Sequence, residues 1–304
     1  MPMMYRPNPG ASWSDFVGQA AEALQRWLTL VRQGDLDQIE SERETLIDTL
    51  TMAAHMPQVQ ELAFELGLAV DSTMRWRGYW QDWYPVLLNL LLASQVSGSR
   101  AAQAQLWERV GTLYNLRGEQ ERAAAAHQTA LSIARELGRS GDAVAAWGLA
   151  GLIDAARRRG TLADALGHVQ EALLRARRSG DPAALAEVYL VGASTCVSAL
   201  DWARAPECAQ MTYIYWRWLN DIPIMAKGLH ILGIIYRAIE RPAHAMRVTR
   251  RAAEAYRAIG SDYLLALLDV LLGDLYRDLD DWPNAEVHYR RAIECFEALD
   301  AAHD

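Results

Sequence analysis

Two stretches near the end of the chain carry one sparse pattern: LGIIYRAIERPAHAMRVTRRAA from Leu232 and LGDLYRDLDDWPNAEVHYRRAI from Leu272, 40 residues apart. Leu, Gly, Tyr, Arg, Ala, Arg, Arg and Ala coincide. A recurrence of this kind constrains a fold more than any composition does. Each copy is one supersecondary unit that buries its apolar face only against its neighbours. With Gly233 and Gly273 at place eight of the unit, Tyr236 and Tyr276 take place eleven, Ala245 and Ala285 place twenty, and Ala252 and Ala292 place twenty-seven. One unit earlier these places hold Ala193, Cys196, Ala205 and Thr212, and before that Ile153, Ala156, Ala165 and Ala172. After a two-residue slip come Gly111, Tyr114, Ala123 and Ala130.

Small residues at places eight and twenty let two successive helices approach closely. Between them the chain turns, at Arg117-Gly118, Arg159-Gly160, Leu200-Asp201, Glu240-Arg241 and Asp280-Asp281. The second helix is expected to stop at Gly138, Gly180 and Gly260, where a left-handed C-cap costs glycine least. Asp142, Asp181 and Asp262 then stand ready to cap the next helix. Apolar spacing such as Leu264, Leu267, Leu268, Leu271 and Leu275 has helical period, and no strand is expected.

These residues resemble the tetratricopeptide repeat family. Trp107, Val110, Gly111 and Tyr114 fit its W-x₂-L-G-x₂-Y signature with one conservative change, and Ala285 with Tyr289 fits its A-x₃-F. The resemblance covers roughly 106–299. It departs from the standard repeat in lacking the usual proline and in its period of about 40 rather than 34 residues. The longer period is similar to the variant in kinesin light chains and bacterial signalling proteins. The resemblance implies an all-α, right-handed superhelical solenoid of about seven helical hairpins. The expected organisation is a flexible tail at 1–12, a degenerate capping hairpin at 13–62 and a repeat array at 63–304. The array's units fall near 63–102, 103–142, 145–184, 185–224, 225–264 and 265–304. Within the capping segment, 13–32 and 36–55 read as two helices joined at Gln33-Gly34-Asp35.

The formal charge of −8 argues against nucleic-acid binding, which relies on neutralising phosphates. Lys227 is the only lysine; every other formal cation is an arginine. The opening MPMMYRPNPGASW lacks the build of a secretion signal. The richest apolar run, 84–96, is too short to span a bilayer. Cys196, Cys208 and Cys295 are widely spaced, without a metal-ligand cadence, so reduced thiols in a cytoplasmic protein are expected. There is no GxxxxGK[ST] loop, GxGxxG, HExxH or GxSxG elbow, and His127, His168 and His288 fall on three different units. Neither catalysis nor a cofactor is expected.

What remains is surface. The family resemblance implies that first helices line a concave groove, and place twelve there holds Arg75, Asn115, Arg157, Val197, Arg237 and Arg277. Arg109, Arg158, Lys227 and His230 fall beside this ladder. Planar, permanently charged forks suit carboxylates or phosphates, which points to an acidic peptide or protein tail. Asp154 and Asp274, each three residues before a ladder arginine, leave a second reading open: ion pairs within a helix. Two aromatic clusters, one with Trp76 and Trp80, the other with Tyr213, Trp216 and Trp218, are either core or a partner or self-association surface. The expected role is a scaffold or adaptor holding a peptide or protein. The alternative is a sensor module that takes up a signalling peptide or small molecule.

Overall fold

The computed structural model describes residues 13–219 and 222–301, and every regular element among them is a helix. The tail expected at 1–12 lies outside the described residues. Three helices, α1 (Trp13–Gln33), α2 (Leu36–Ser41) and α3 (Arg43–Ala53), lead into six hairpins. These pair α4 (Gln60–Trp76) with α5 (Trp80–Ser97), α6 (Arg100–Leu116) with α7 (Gln120–Glu136), and α8 (Asp142–Arg158) with α9 (Leu162–Ser179). The last three pair α10 (Pro182–Ser198) with α11 (Ala205–Leu219), α12 (Ile222–Ala238) with α13 (Pro242–Ala258), and α14 (Asp262–Asp278) with α15 (Trp282–Ala301).

The leading segment has one helix more than its sequence suggests, because the second breaks at Glu42. Arg26 reaches across from α1 to both carboxylate oxygens of Glu42 at 3.1 Å, and Gln38 Nε2 donates to the same group at 3.0 Å. These bonds hold Glu42 where the two short helices meet, at φ −108° and ψ 20°.

The small residues of the repeat sit where the helices of a hairpin cross. Gly111, Gly233 and Gly273 are buried, and Ala123, Ala245 and Ala285 are at most 1% exposed. Each glycine makes room for the side chain sixteen places later. A methyl on Gly111 would stand 2.7 Å from His127 Cε1, and one on Gly273 2.6 Å from Tyr289 Cε1; on Gly233 it would strike Thr249 Oγ1. Where place eight is filled, by Ile153 or Ala193, place twenty-four holds the aliphatic Val169 or Ala209. The two positions are matched as a pair.

Turns repeat as strictly as helices. Within the first three hairpins the left-handed turn residue is glycine, with φ of 81°, 77° and 81° at Gly78, Gly118 and Gly160. In the last three the same place is held by Leu200, Glu240 and Asp280, at 56°, 57° and 60°. Gly138, Gly180 and Gly260 end their helices with positive φ, as expected. Of the three candidate caps only Asp181 acts, accepting from the Ala183 amide at 2.9 Å. Asp142 is already inside α8 and turns its buried carboxylate to Arg175 (2.8 Å) and Arg178 (3.1 Å); Asp262 lies one residue past the Ser261 cap.

Consecutive first helices, α4, α6, α8, α10, α12 and α14, pack on one another. Second helices pack on their own partner and on the next first helix, without comparable contact among themselves in the described residues. The layer of first helices therefore has the shorter circumference, and the stack curves towards it. The curvature is tight enough for the turn after α4 to meet units five and six. Lys227 Nζ lies 4.4 Å from the Trp76 ring centroid, and the Trp80 and Tyr263 rings meet edge to face at 6.2 Å. The Arg77 guanidinium rests on Gly260, where any Cβ would collide with it.

Candidate functional site

The inner surface is built from an open side of the first helices. On α8 the accessible positions are Ala143, Val144, Trp147, Gly151, Asp154 and Arg157–Arg158; beyond the first turn they form a helical stripe on a segment otherwise buried. Thr112, Ser194, Ile234 and Asp274 hold the same accessible place as Asp154 in their units. A strip of mixed polar, charged and apolar side chains thus runs along the concavity.

The ladder at place twelve stands slightly aside of that strip and emerges from it gradually. Side-chain exposure rises from 12% at Arg75 to 23% at Arg157, 29% at Arg237 and 40% at Arg277. All four lie in the last turn of a first helix, where the dipole favours a cation.

None of these arginines is a bare cation, which corrects the expectation of a positive wall. Arg75 Nε donates to Asp71 at 2.7 Å, and Arg109 Nε stands 3.5 Å from the same oxygen. Asp71 is fully buried and also accepts from Trp83 Nε1 at 2.9 Å. These donors explain why a carboxylate can occupy a packing position in the first unit. Arg109 further pairs with Glu108 at 2.8 Å and lies over the Trp147 ring at 5.6 Å. Arg157 and Arg158 share Asp154, at 2.5 and 2.8 Å. Burial alone would raise the Asp154 carboxyl, but Arg158 and Arg157 outweigh it and hold it below its ordinary value. Arg237 bridges Asp278 (2.5 Å) and Asp274 (2.7 Å), and Arg277 adds Asp274 at 3.2 Å. The expected pairs at i,i+3 are present, and pairs between neighbouring units complete them.

Two further candidates belong to the core. Asn115 is 5% exposed; its Nδ2 donates to the Gly151 carbonyl at 3.1 Å and faces His127 Nε2 at 3.3 Å. An amide nitrogen can only donate, so His127 Nε2 accepts and the ring is neutral. Burial depresses the His127 pKa accordingly. His230 is half-buried with its ring edge towards Tyr256 at 6.4 Å, and desolvation lowers it to about 4. Lys227 projects into the groove but is engaged by Trp76.

The aromatic clusters divide. Trp76 and Trp80 meet units five and six of the same chain, and Trp80 Nε1 also donates to the Arg75 carbonyl at 2.9 Å. Tyr213 is half-buried against the core. Trp218 is 74% exposed on α11, with Ile214 half-exposed one turn away; the side chain of Trp216 lies outside the described residues. Sequence reasoning passed over the arginines of α13, although Arg241 to Arg257 holds five arginines and a single acid, Glu254. No group of His, Cys, Asp and Glu among the described residues is arranged to hold a metal ion. No helix among them is long and apolar enough to cross a membrane.

No protein-family model matches the sequence, and no curated protein does. Among solved structures, the apo form of RapI superposes with a TM-score of 0.66 at 11% identity, over 93% of this chain and 99% of that one. A Rap protein complexed with Competence and Sporulation Factor gives 0.61 at 13%, over 94% and 99%. A signal transduction ATPase with numerous domains and a tetratricopeptide repeat sensor, from Pyrococcus horikoshii, gives 0.59 at 15%, over 86% of this chain and 41% of that one. At such identities the likeness is one of architecture, and it agrees with the repeat, its small-residue crossings and its curvature: the chain has the fold of a tetratricopeptide-type helical solenoid.

Proposed function

We propose that this chain is a non-enzymatic scaffold that holds a peptide or a segment of a partner protein along the layer of first helices. The observation that carries this reading is the curvature itself. Six first helices expose one partly polar stripe each towards a common concavity, and the described residues offer no clustered catalytic groups beside it. The Rap protein of the same fold that is complexed with Competence and Sporulation Factor supports a binding role for such a solenoid. Because Arg157, Arg158, Arg237 and Arg277 already share Asp154, Asp274 and Asp278, the strip offers donors and acceptors together. It suits an extended backbone, which presents both, better than a run of acidic side chains.

A second reading, a sensor whose superhelix changes pitch on ligand uptake, is favoured by the contacts of Trp76, Arg77 and Trp80 with Lys227, Gly260 and Tyr263. A ligand that widened the groove would have to part them. The scaffold reading is tested by filling the groove. Thr112→Arg with Ser194→Arg places bulk on the accessible strip without entering the core. Partners captured from the native host by the parent should be lost by this variant and retained by Trp218→Ala. Retention by the groove variant would contradict the reading.

A further inference from the structure

Outside α13 and its cap, every described arginine except Arg139, Arg177, Arg217 and Arg291 lies within ion-pair distance of a carboxylate. On α13 the balance reverses. Arg241, Arg247, Arg250, Arg251 and Arg257 are all exposed, and none forms an ion pair with a carboxylate among the described residues. Arg250 makes one bond, to the Tyr276 hydroxyl at 3.1 Å. This concentration of free positive charge sits on a chain whose formal charge is −8.

The charge also borders an open hollow. Arg247, Arg250 and Arg251 line a cleft of about 620 Å³ between α13 and the end of α14, floored by Met246, Tyr276 and Leu279, with Glu254 as its one carboxylate. Leu279 is 52% exposed there. Positive charge in a concavity focuses potential and draws anions, and guanidinium forks grip carboxylates bidentately. The spacing adds a second match. Arg247 stands three and four places before Arg250 and Arg251, so it lies about 5–6 Å from each, whereas Arg250 and Arg251 are adjacent and splay apart. Alternate residues of an extended chain, which share a face, lie about 6.6–6.8 Å apart.

We propose that this cleft binds an acidic, extended segment of a partner protein. One carboxylate engages Arg247 and the next alternate one Arg250 or Arg251, while the intervening apolar side chain turns to the opposite wall at Leu279. The site lies on the layer of second helices, so it is separate from the concave strip. The apolar floor and limited volume favour a peptide over the long phosphate run of a nucleic acid or the flat face of a bilayer.

The test is fluorescence anisotropy with a short labelled peptide alternating glutamate and leucine, beside its glutamine counterpart. The parent should bind the glutamate peptide and not the glutamine one. Affinity should fall as salt rises, because exposed charges are screened beyond about 8 Å at physiological ionic strength. The triple variant Arg247→Gln, Arg250→Gln, Arg251→Gln should bind at least about tenfold more weakly, since charge-assisted bidentate bonds are the strong ones. Glu254→Gln should bind more tightly, and both variants should melt as the parent does. Arg157→Gln with Arg237→Gln, on the concave side, should bind as the parent. The proposal is overturned if the glutamine peptide binds equally or the triple variant binds undiminished. Loss of binding in the concave variant alone would move the peptide to the groove and also overturn it. So would tighter binding, through the same arginines, of an oligonucleotide or of vesicles rich in phosphatidylglycerol.

Discussion

Single residues set how closely the helices of each unit can cross. Gly233 faces Thr249 and Leu271 with no space for a methyl, whereas Gly167, inside α9, has open surroundings and an ordinary helical backbone. Substitution should therefore act in opposite directions. Gly233→Leu should destabilise by roughly 1–3 kcal/mol through overpacking. Gly167→Ala should stabilise by about 0.5–1 kcal/mol by removing unfolded-state freedom. Urea denaturation of the two variants checks both; equal midpoints would show that place eight is not a crossing point. Acidification acts at this scale too. His230 titrates near 4 in the folded chain and near its ordinary value of about 6.5 once unfolded. Between those values the unfolded state takes up a proton that the folded state refuses. The corresponding stability is fully present above about pH 6.5 and drains away as pH falls towards 4. His230→Phe should melt with a shallower pH dependence over that window, and an unchanged slope would place the titration elsewhere. The glycines that position these groups are written plainly in the sequence. Their partners sixteen places on, His127, Thr249 and Tyr289, are not, because their chemistry differs from copy to copy and only their shared function as space-fillers repeats.

At the level of helices and turns, most of the architecture can be read from the chain, and the reasons are local. Glycine at a helix end and small residues at two fixed places act within one hairpin, so their spacing survives in one dimension. Charge partners do not. The pair of Asp154 with Arg157 is visible at three residues' distance, but Arg237 reaches Asp278, 41 residues away, across the seam between units. That seam turns the expected arginine wall into a neutral, paired surface. The same blindness hid α13, whose free arginines stand out only once most of the other arginines have found a carboxylate. One turn feature makes an element-scale prediction. Leu200 holds a left-handed conformation at φ 56° with its side chain 70% exposed, in a place where the first three hairpins use glycine. A non-glycine residue there costs about 1–2 kcal/mol. Leu200→Gly should therefore raise the melting temperature, less the entropy that glycine adds to the unfolded chain. A lowered melting temperature would mean that Leu200 packs usefully despite its exposure.

The whole molecule curls until its first unit touches its fifth and sixth. Among the described residues these contacts include one cation over a ring, one edge-to-face ring pair and one guanidinium on a glycine. A cation–π contact at such a site contributes about 0.5–1 kcal/mol, small enough for a ligand to overcome. Trp76→Ala with Trp80→Ala should open the superhelix, and small-angle X-ray scattering should show a larger radius of gyration with helix content unchanged. An identical scattering curve would mean that packing between neighbouring units, not the clasp, sets the curvature. In the scaffold reading the layer of first helices does the binding. Hydrogen–deuterium exchange on the protein, free and bound to a partner captured from its host, tests it most directly. Protection on binding should concentrate in α4, α6, α8, α10, α12 and α14, along the strip of Thr112, Asp154, Ser194, Ile234 and Asp274. Protection confined to the second helices, with the first helices exchanging as in the free protein, would contradict it.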